Sequence, residues 1–499
     1  MPIPTQATPD EQTTSNSLTS AGLRLVFITL LASTGLLYWL ARRRALRPGG
    51  DDNSERKSGR SWCSLHPLQR RYLIVYVLAM LSDWLQGPYV YALYESYGFD
   101  RHQNAGLFVC GFAGSMLLGT FIGSLADRCG RKRFCLLYCG LYVLSCLTKH
   151  VPSYPVLMLG RLLGGMATSL LFSVFDAWFI CEASTTNQAD LIPQTFGIAV
   201  ALNSITAIFA GVLAQASVSI APMQPWTPFF NVAGYCSPFD LSIISLLFTA
   251  VGIQTTWREN FGAAASGTTE KSEGSGGTQL SWRSLQQWTQ GLLQSLRSDR
   301  SIIPLGSVQA LYEASMYIFV FMWTPALEQA NGGAAASLGL IFACFMTACT
   351  AGSQLFRYLS TPSITTRALS SAAILRLVCL AALVTQGIVF MFPYSVWTVL
   401  LSFLTFEASV GVYYPSMGTL KAEIVPESRR ATIYNLFRVP LNLLVIGALL
   451  AKLEVAEAFG VTSLLLALAL ALSLRITPTA NTVSSATRLP LLRRGQKAT

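Results

Sequence analysis

The sequence predicts an all-α membrane protein made of two six-helix bundles and one extra transmembrane helix at the N-terminus. Of its 499 residues, 52% are hydrophobic and only 12% are charged, whereas soluble globular proteins carry about 25% charged residues. Apolar segments, each near the ~20 residues that cross a bilayer, recur along the chain as one, then six, then six. A long polar stretch separates the two sets of six, which predicts two bundles joined by a linker.

The first segments are a polar tail and the extra helix. Residues 1–22 are rich in Thr, Ser, Gln and Pro and predict a disordered tail. The apolar run 23–41 is long enough to span a membrane. Its basic cluster, from Arg42 to Arg47, follows the run, whereas a secretory signal peptide carries such a cluster in front. We therefore expect a retained helix with its N-terminus outside, followed by a cytoplasmic linker at 42–70.

Two bundles of six helices follow. Residues 71–256 are predicted to form the N-terminal bundle, and residues 301–475 the C-terminal bundle. The stretch 257–300 contains a Gly/Ser/Thr/Ala-rich part and predicts a cytoplasmic linker, while 476–499 predict a cytoplasmic tail. Cations are concentrated in alternate loops, as the positive-inside rule requires. The predicted spans are 71–94, 104–126, 134–150, 156–180, 194–219, 229–256, 302–327, 337–357, 368–391, 395–418, 431–450 and 456–475.

Composition also argues against several classes of function. The net charge of +11 does not predict nucleic-acid binding, because the cations cluster beside apolar spans instead of along one face. The eleven cysteines are scattered and form no C-x-x-C pair, so no disulfide, metal site or cofactor is predicted. No nucleophile–base pair or nucleotide-binding loop indicates an enzyme. The expected partners are a small solute and the lipid bilayer, and the expected assembly is a monomer.

A basic turn between the second and third helices of the N-terminal bundle carries the most specific motif. Residues 123–133 read GSLADRCGRKR, which resembles the motif at this position in transporters of the major facilitator superfamily. The resemblance implies the two-bundle fold of that superfamily, with a substrate site between the bundles. It also implies a gating role for Asp127 and Arg131. We expect Asp176 or Glu182, near the cytoplasmic end of the fourth helix, to pair with Arg131 in this gate.

Six further strings narrow the resemblance. They are SDWLQGPY at 82–89, LFSVFDAW at 171–178, QALYEAS at 309–315, FMWTP at 321–325, YYPSM at 413–417 and NLFRVPL at 435–441. Together they are similar to the molybdate-anion transporter branch of the superfamily, over about residues 60–475. The resemblance implies uptake of molybdate by a secondary transporter. The plasma membrane is the favoured location for this multi-pass protein, and an intracellular membrane is the alternative.

Ionisable residues inside apolar spans are costly and are therefore functional candidates. Asp83 and Glu313 lie at matching depths in the first helix of each bundle, and Glu407 lies in the fourth helix of the second. Because burial favours the neutral form of a carboxylate, these three are the candidates for carrying a coupled proton, and one or more of them could be protonated when the substrate binds. Arg161 lies in the string LMLGRLLGG at 157–165, which resembles a fourth-helix motif that the superfamily uses in proton coupling.

A tetrahedral dianion requires cationic and neutral hydrogen-bond donors in a desolvated cavity. Arg438 is the predicted principal ligand, because Asn435 and Asn442 lie on the same face of its helix. The predicted substrate-binding residues are Arg438, Arg161, Asn435, Asn442, Gln86, Gln309, Tyr317 and Asn203. These residue types suit sulfate or an organic acid equally well. Two alternatives stay open: a carrier of sugar or another neutral solute, and a transport-inactive receptor that docks partners through the central linker.

Overall fold

The computed structural model describes residues 18–45, 65–261, 301–333, 337–362, 368–425 and 430–476. Across these ranges thirteen helices have 18 residues or more, and ten helical segments are long and apolar enough to cross a membrane. One helix precedes two groups of six, so the predicted fold class is confirmed. Most of both predicted tails, 46–64 of the first linker and 262–300 of the central linker lie outside the described residues.

The extra helix and the N-terminal bundle occupy the first half of the chain. The extra helix is α1 (Ser20–Ala45). The bundle consists of α2 (Pro67–Gln86), the short α3 (Val90–Ser96), α4 (Arg101–Cys129), α5 (Arg131–Thr148), α6 (Tyr154–Thr185), α7 (Leu191–Val218) and α8 (Ser237–Thr256). Helix α4 packs on α6, α5 packs on α6, and α2 lies between α7 and α8.

The C-terminal bundle repeats this arrangement in the second half of the chain. Its helices are α9 (Ile302–Ala330), α10 (Leu338–Ser360), α11 (Ser371–Met391), α12 (Val396–Ile424), α13 (Arg430–Leu450) and α14 (Val455–Ser473). Helix α10 packs on α12, α11 on α12, and α9 on α13 and α14. Helix α1 packs against α10, so the extra helix lies on the outside of the C-terminal bundle.

Local sequence signals set the ends of several helices. The carboxylate of Asp100 accepts a hydrogen bond from the backbone N–H of Gln103 at 2.7 Å, and the Gln103 amide oxygen accepts one from the Asp100 N–H at 3.0 Å. This reciprocal cap satisfies free N–H groups at the start of α4 and stabilises it by about 1 kcal/mol. Between α4 and α5, Gly130 has a φ of 109°, a conformation that favours glycine.

A β-hairpin replaces the first turns of the sixth predicted span. The strands β1 (Gln224–Thr227) and β2 (Phe230–Val232) pair antiparallel, and α8 begins only at Ser237. The prediction of a span from residue 229 was therefore wrong at its start. The backbone N–H of Asn231 donates to the carbonyl of His150 at 2.8 Å, and the His150 ring contacts the Asp240 carboxylate at 3.2 Å. These contacts hold the hairpin over the loop after α5, outside the bundle.

The bundles have two distinct ends. We call the end with the 129–131 turn and the 257–261 segment the basic face, and the end with the 149–153 loop and the hairpin the opposite face. Because α4 and α5 run between these ends, each crosses the full depth of the N-terminal bundle. Positive charge near a membrane helix marks the cytoplasmic side, so the basic face is the predicted cytoplasmic face.

The two bundles meet tightly towards the opposite face. A Cβ atom on Gly211 of α7 or Gly339 of α10 would lie 2.6–2.8 Å from the backbone of the facing helix. The Tyr89 hydroxyl donates to the Gln215 side-chain oxygen at 2.7 Å and accepts from the Gly339 N–H at 3.2 Å. On α9, Phe321 packs edge-on against two aromatic rings of the N-terminal bundle. The structure is therefore closed towards the opposite face.

The buried apolar residues follow the same division. One cluster joins the C-terminal bundle to the opposite-face part of the N-terminal bundle. A separate cluster occupies the basic-face part of the N-terminal bundle, around Tyr138, Phe175 and Trp178. Because apolar contact is continuous between the bundles only in the first cluster, we expect the bundles to part more easily at the basic face.

Candidate functional site

Three ionisable side chains of the C-terminal bundle face one another. Glu313 of α9 interacts electrostatically with Lys421 of α12 and Arg438 of α13, and the two cations also interact with each other. Arg438 lies eight residues into α13, roughly 12 Å from the basic face, and its side chain is exposed. Glu313 is half-buried, about 16 Å from the same face. Opposite charges at this depth compensate one another in a medium that solvates charge poorly.

Neutral donors complete this cluster. The Glu313 carboxylate accepts hydrogen bonds from the Tyr413 hydroxyl at 3.2 Å and from the Gln309 amide at 3.3 Å. Tyr317 interacts electrostatically with both Glu313 and Arg438 and packs edge-on against Phe112 of the N-terminal bundle. We call the cluster the C-bundle site. Its residues are Gln309, Glu313, Tyr317, Tyr413, Lys421 and Arg438.

Two members of the C-bundle site were missed by the sequence analysis. Lys421 lies beyond the predicted span, which ended at 418, but α12 continues to Ile424 and brings Lys421 onto the bundle wall. Tyr413 lies two helical turns before Lys421 and therefore on the same side of α12. The spacing between Tyr413 and Lys421 was the signal in the sequence that these two side chains lie on one side of α12.

The predicted asparagine stripe on α13 is described in part. Asn442 lies about one turn after Arg438 and is half-buried. The side chain of Asn435 lies outside the described residues. The stripe therefore stays a prediction.

Asp83 lies in a different environment in the N-terminal bundle. The Tyr142 hydroxyl donates to its carboxylate at 2.5 Å, and Tyr138 is a second neighbour. Nearby, the Trp84 indole donates to the Asn203 side-chain oxygen at 2.8 Å. In the described part of the chain, the groups that interact with Asp83 are tyrosine hydroxyls and the Cys146 thiol, and none of them is a cation. Its charge is therefore uncompensated when it is ionised.

Gln86 and Glu407 occupy positions away from the C-bundle site. The Gln86 amide donates to the Ser82 carbonyl at 3.0 Å and to the Ser242 hydroxyl at 3.2 Å, so it braces α2 against α8. Glu407 is 6% exposed and lies beside Tyr312 and other groups inside the C-terminal bundle. It does not contact the cations of the C-bundle site among the residues described, and its role in proton coupling stays a prediction.

Arg161 lies apart from Arg438. Its Nε donates to the Leu107 carbonyl at 3.2 Å, and its guanidinium lies 4.4 Å from the centroid of the Phe108 ring. Seven residues into α6, it is roughly 10 Å from the opposite face, whereas Arg438 lies towards the basic face. The structure therefore does not bring the two predicted anion-binding arginines into one site.

The motif turn forms an ion pair, but with a different set of partners from the one expected. Arg131 donates to the Asp127 carboxylate through Nε and a terminal nitrogen, both at 2.8 Å, and to the Ala177 carbonyl at 3.1 Å. Asp176 instead accepts a hydrogen bond from the Tyr72 hydroxyl at 2.7 Å. Neighbouring helical residues point about 100° apart, so the carboxylate faces α2 while the next carbonyl faces Arg131. Glu182 accepts hydrogen bonds in the described chain only through its backbone carbonyl.

The start of the central linker is packed against this turn. Trp257 stacks on Trp178 with ring centroids 3.7 Å apart. The Glu259 carboxylate accepts a hydrogen bond from the Lys132 N–H at 2.8 Å, at the N-terminus of α5 where an anion is favoured. The Asn260 carbonyl accepts one from the Arg131 N–H at 3.0 Å. The motif thus anchors the 257–261 segment to the N-terminal bundle.

Known proteins with similar sequences are membrane transporters. Residues 25–407 match the model of a family described as sugar transporters with twelve transmembrane segments. The chain is 35% identical over 378 residues to the molybdate-anion transporter of Xenopus tropicalis, covering 74% of this chain and 75% of the relative. It is 36% identical over 418 residues to the protein of that name from Danio rerio, covering 77% and 79%.

A solved structure supports the same fold at much lower sequence identity. The crystal structure of a D-xylose-proton symporter superposes with a TM-score of 0.58 at 14% identity. The superposition covers 82% of this chain and 97% of the symporter. At this identity the likeness describes the arrangement of the helices and nothing about the solute.

Proposed function

Because the chain belongs to the molybdate-anion transporter branch of the major facilitator superfamily, as its sequence strings predicted, we propose that it carries molybdate across a membrane. Membership of this family makes it an integral, multi-pass transport protein and not an enzyme. The family description names sugars, whereas the relatives' name specifies an anion. The C-bundle site favours the anion, since a neutral sugar does not require two cations within a bundle.

The observation that carries the proposal is the electrostatic interaction of Glu313 with Lys421 and Arg438. Arg438 supplies a planar fork of donors that matches two oxygens of a tetrahedral oxyanion, and Lys421 supplies a compact positive charge. The hydroxyl and amide groups of Tyr317, Tyr413 and Gln309 supply neutral donors. In the structure the Glu313 carboxylate interacts electrostatically with both cations, so we infer that it is an internal counter-ion that the substrate replaces.

This arrangement couples a proton to the anion. A dianion beside the Glu313 carboxylate would repel it, and protonation of Glu313 removes that repulsion and frees both cations. Anion and proton therefore bind together, which is the requirement for symport. Asp83 and Glu407 are secondary candidates for the same proton, since neither pairs with a cation in the part of the chain described.

The difference between the two ends of the molecule supports transport by alternating access. The structure is closed towards the opposite face, through α7 and α10. Opening that face and closing the basic face would move the C-bundle site from one side of the membrane to the other. We propose that the ion pair of Asp127 and Arg131 stabilises the basic face in this exchange, and that the protein works as a monomer in the plasma membrane.

Uptake of labelled molybdate into proteoliposomes tests the proposal. The wild-type protein should accumulate molybdate when a pH gradient is imposed. Unlabelled sulfate should compete with molybdate for uptake if the site recognises only the charge and shape of the anion. Loss of a charge-assisted hydrogen bond costs about 1.5–3 kcal/mol, roughly 10- to 150-fold in affinity. Arg438→Ala should therefore abolish uptake, and Arg438→Lys should transport weakly because it lacks the planar fork.

Arg357→Ala is the matched control, because Arg357 is an exposed arginine at the end of α10 whose hydrogen bonds within the described residues are all with its own helix end. It should take up molybdate at the wild-type rate. Wild-type uptake in Arg438→Ala at normal protein levels would contradict the anion site. Uptake of labelled sugar that survives Arg438→Ala would favour the neutral-solute alternative.

A further inference from the structure

A buried lysine at the end of α5 has no counter-ion among the residues that the structure describes. Lys149 is 2% exposed, and its ammonium group has no hydrogen-bond partner among the described residues. The nitrogen lies 5.7 Å from the centroid of the Tyr94 ring, a contact that stabilises a cation only partly. A buried, unpaired ammonium is costly, so its position indicates a function beyond packing.

A second cation lies beside it. Arg161 of α6 repels Lys149 electrostatically, and the Tyr94 hydroxyl, which is also buried, lies near the Arg161 guanidinium. The other groups of the described chain that interact with Lys149 are the thiols of Cys110 and Cys146. None of these neighbours is a carboxylate. Two cations held together without an anion between them are complementary to an anion.

We propose that Lys149 and Arg161 form a second oxyanion site, which we call the N-bundle pair, near the opposite face. A tetrahedral dianion bridging the ammonium and the guanidinium would compensate both charges, and the Tyr94 hydroxyl would donate to a further oxygen. The proposal rests on the proposed function for the class of anion, molybdate or sulfate. It adds a site in the other bundle and at the other end of the molecule.

Separation of the bundles would open this site. Phe108 lies between the Arg161 guanidinium, 4.4 Å from its ring centroid, and the Phe321 ring of α9, 5.2 Å between centroids. Phe321 thus covers the residue on which Arg161 rests. When the opposite face opens, α9 leaves the N-terminal bundle and uncovers Phe108. The N-bundle pair is then the first site that an anion from that side meets.

The N-bundle pair should bind anions in a pH-dependent way. Burial, and next the charge of Arg161, lower the pKa of Lys149 to about 7. The groups that face it are Arg161 on α6, Cys146 on α5, Cys110 on α4 and the Tyr94 ring of α3. An anion binds the protonated form, which predominates below this pKa. Affinity should therefore fall as pH rises above 7, by at most about tenfold per pH unit.

Equilibrium binding of labelled molybdate to the purified full-length protein tests the site, with Lys149→Met and Arg438→Ala as the two variants. Arg438→Ala should retain a class of sites that Lys149→Met loses, with affinity at that site at least about tenfold weaker in Lys149→Met. The melting temperature of Lys149→Met provides an independent test of the site. Without anion, Lys149→Met should melt at a higher temperature than wild type, because it removes a buried uncompensated charge, and molybdate should then stabilise it less.

Lys452→Met is the matched control, an exposed lysine at the same face, and it should bind and melt like wild type. Identical molybdate binding by Lys149→Met and wild type, or a lower melting temperature for Lys149→Met, would overturn the N-bundle pair. If Arg438→Ala abolishes uptake while Lys149→Met binds molybdate normally, only the proposal of the N-bundle pair is overturned. If binding depends on Lys149 but wild type takes up no molybdate, the transport proposal fails and the site stands.

Discussion

The C-bundle site and the N-bundle pair each hold two cations, but only one of them holds a carboxylate. Lys421 and Arg438 face Glu313, whereas Lys149 and Arg161 form no ion pair with a carboxylate within the described residues. A compensated site is stable when empty and must release its own anion to bind another. An uncompensated site gains stability whenever an anion arrives. The comparison separates a site suited to coupled transport from one suited to capture.

The two first-helix carboxylates differ in the same way. Glu313 has cations beside it, while Asp83 accepts a hydrogen bond from Tyr142 and has no cation beside it in the described chain. Matching depth in the two bundles therefore does not mean matching function. We expect Glu313 to exchange a proton for the substrate, and Asp83 to keep its bond to Tyr142 throughout the cycle.

The largest expected effect comes from neutralising these two carboxylates separately. With one coupled proton, a gradient of one pH unit should raise molybdate accumulation about tenfold in the wild type. Glu313→Gln leaves the cations free without a proton, so it should bind molybdate but respond little to the gradient. Asp83→Asn should keep the gradient response. Uptake into proteoliposomes with and without the gradient measures both.

The reverse pattern would contradict the assignment of the coupled proton to Glu313. If uptake by Glu313→Gln still depended on the pH gradient and uptake by Asp83→Asn did not, the coupled proton would be carried in the N-terminal bundle. Protein amount and monodispersity of each variant serve as the control for folding.

A smaller effect should follow from wedging the opposite face open. A Cβ atom at Gly339 would lie 2.6 Å from the Gly211 carbonyl oxygen, so Gly339→Val cannot keep the contact between α7 and α10. We expect more of the protein to open at that face and expose the N-bundle pair. Labelling of Cys110, which lies near the pair, by a thiol reagent added at the opposite face should rise several-fold.

Gly140→Val is the matched control, since Gly140 is an exposed helical glycine with nothing within 4 Å of an added Cβ. Its Cys110 labelling should equal that of the wild type. Unchanged labelling in Gly339→Val would mean that access to the pair does not depend on the contact between α7 and α10.

Hydropathy was enough to predict the fold class, because a bilayer demands long apolar helices whatever their neighbours. Hydropathy did not predict where individual helices begin and end. The run from residue 229 is apolar enough to look like a span, but its backbone pairs in a hairpin before α8 begins. Helix α12 extends past the apolar segment to Ile424, because a helix does not stop where hydrophobicity does.

Residues of the candidate sites could be predicted from the sequence only where their depth within a membrane-spanning helix identified them. Glu313 and Arg438 could be found from their positions within spans, and the structure brings them together. Lys149 was not among the predicted site residues, because its burial depends on how α3, α4 and α6 pack around it. The partner of Asp176 depends on the rotation of α6 about its axis, which hydropathy does not specify.

Counting the protons taken up when molybdate binds tests the central claim, that Glu313 is the counter-ion which the substrate replaces. Calorimetric titrations at pH 7 in buffers of different ionisation enthalpy give this number for the wild type and for Glu313→Gln. The account predicts that the wild type takes up about one proton more per anion than Glu313→Gln, because its carboxylate must be neutralised as the anion takes Lys421 and Arg438. Equal proton uptake by the two proteins, with molybdate bound to both, would contradict it.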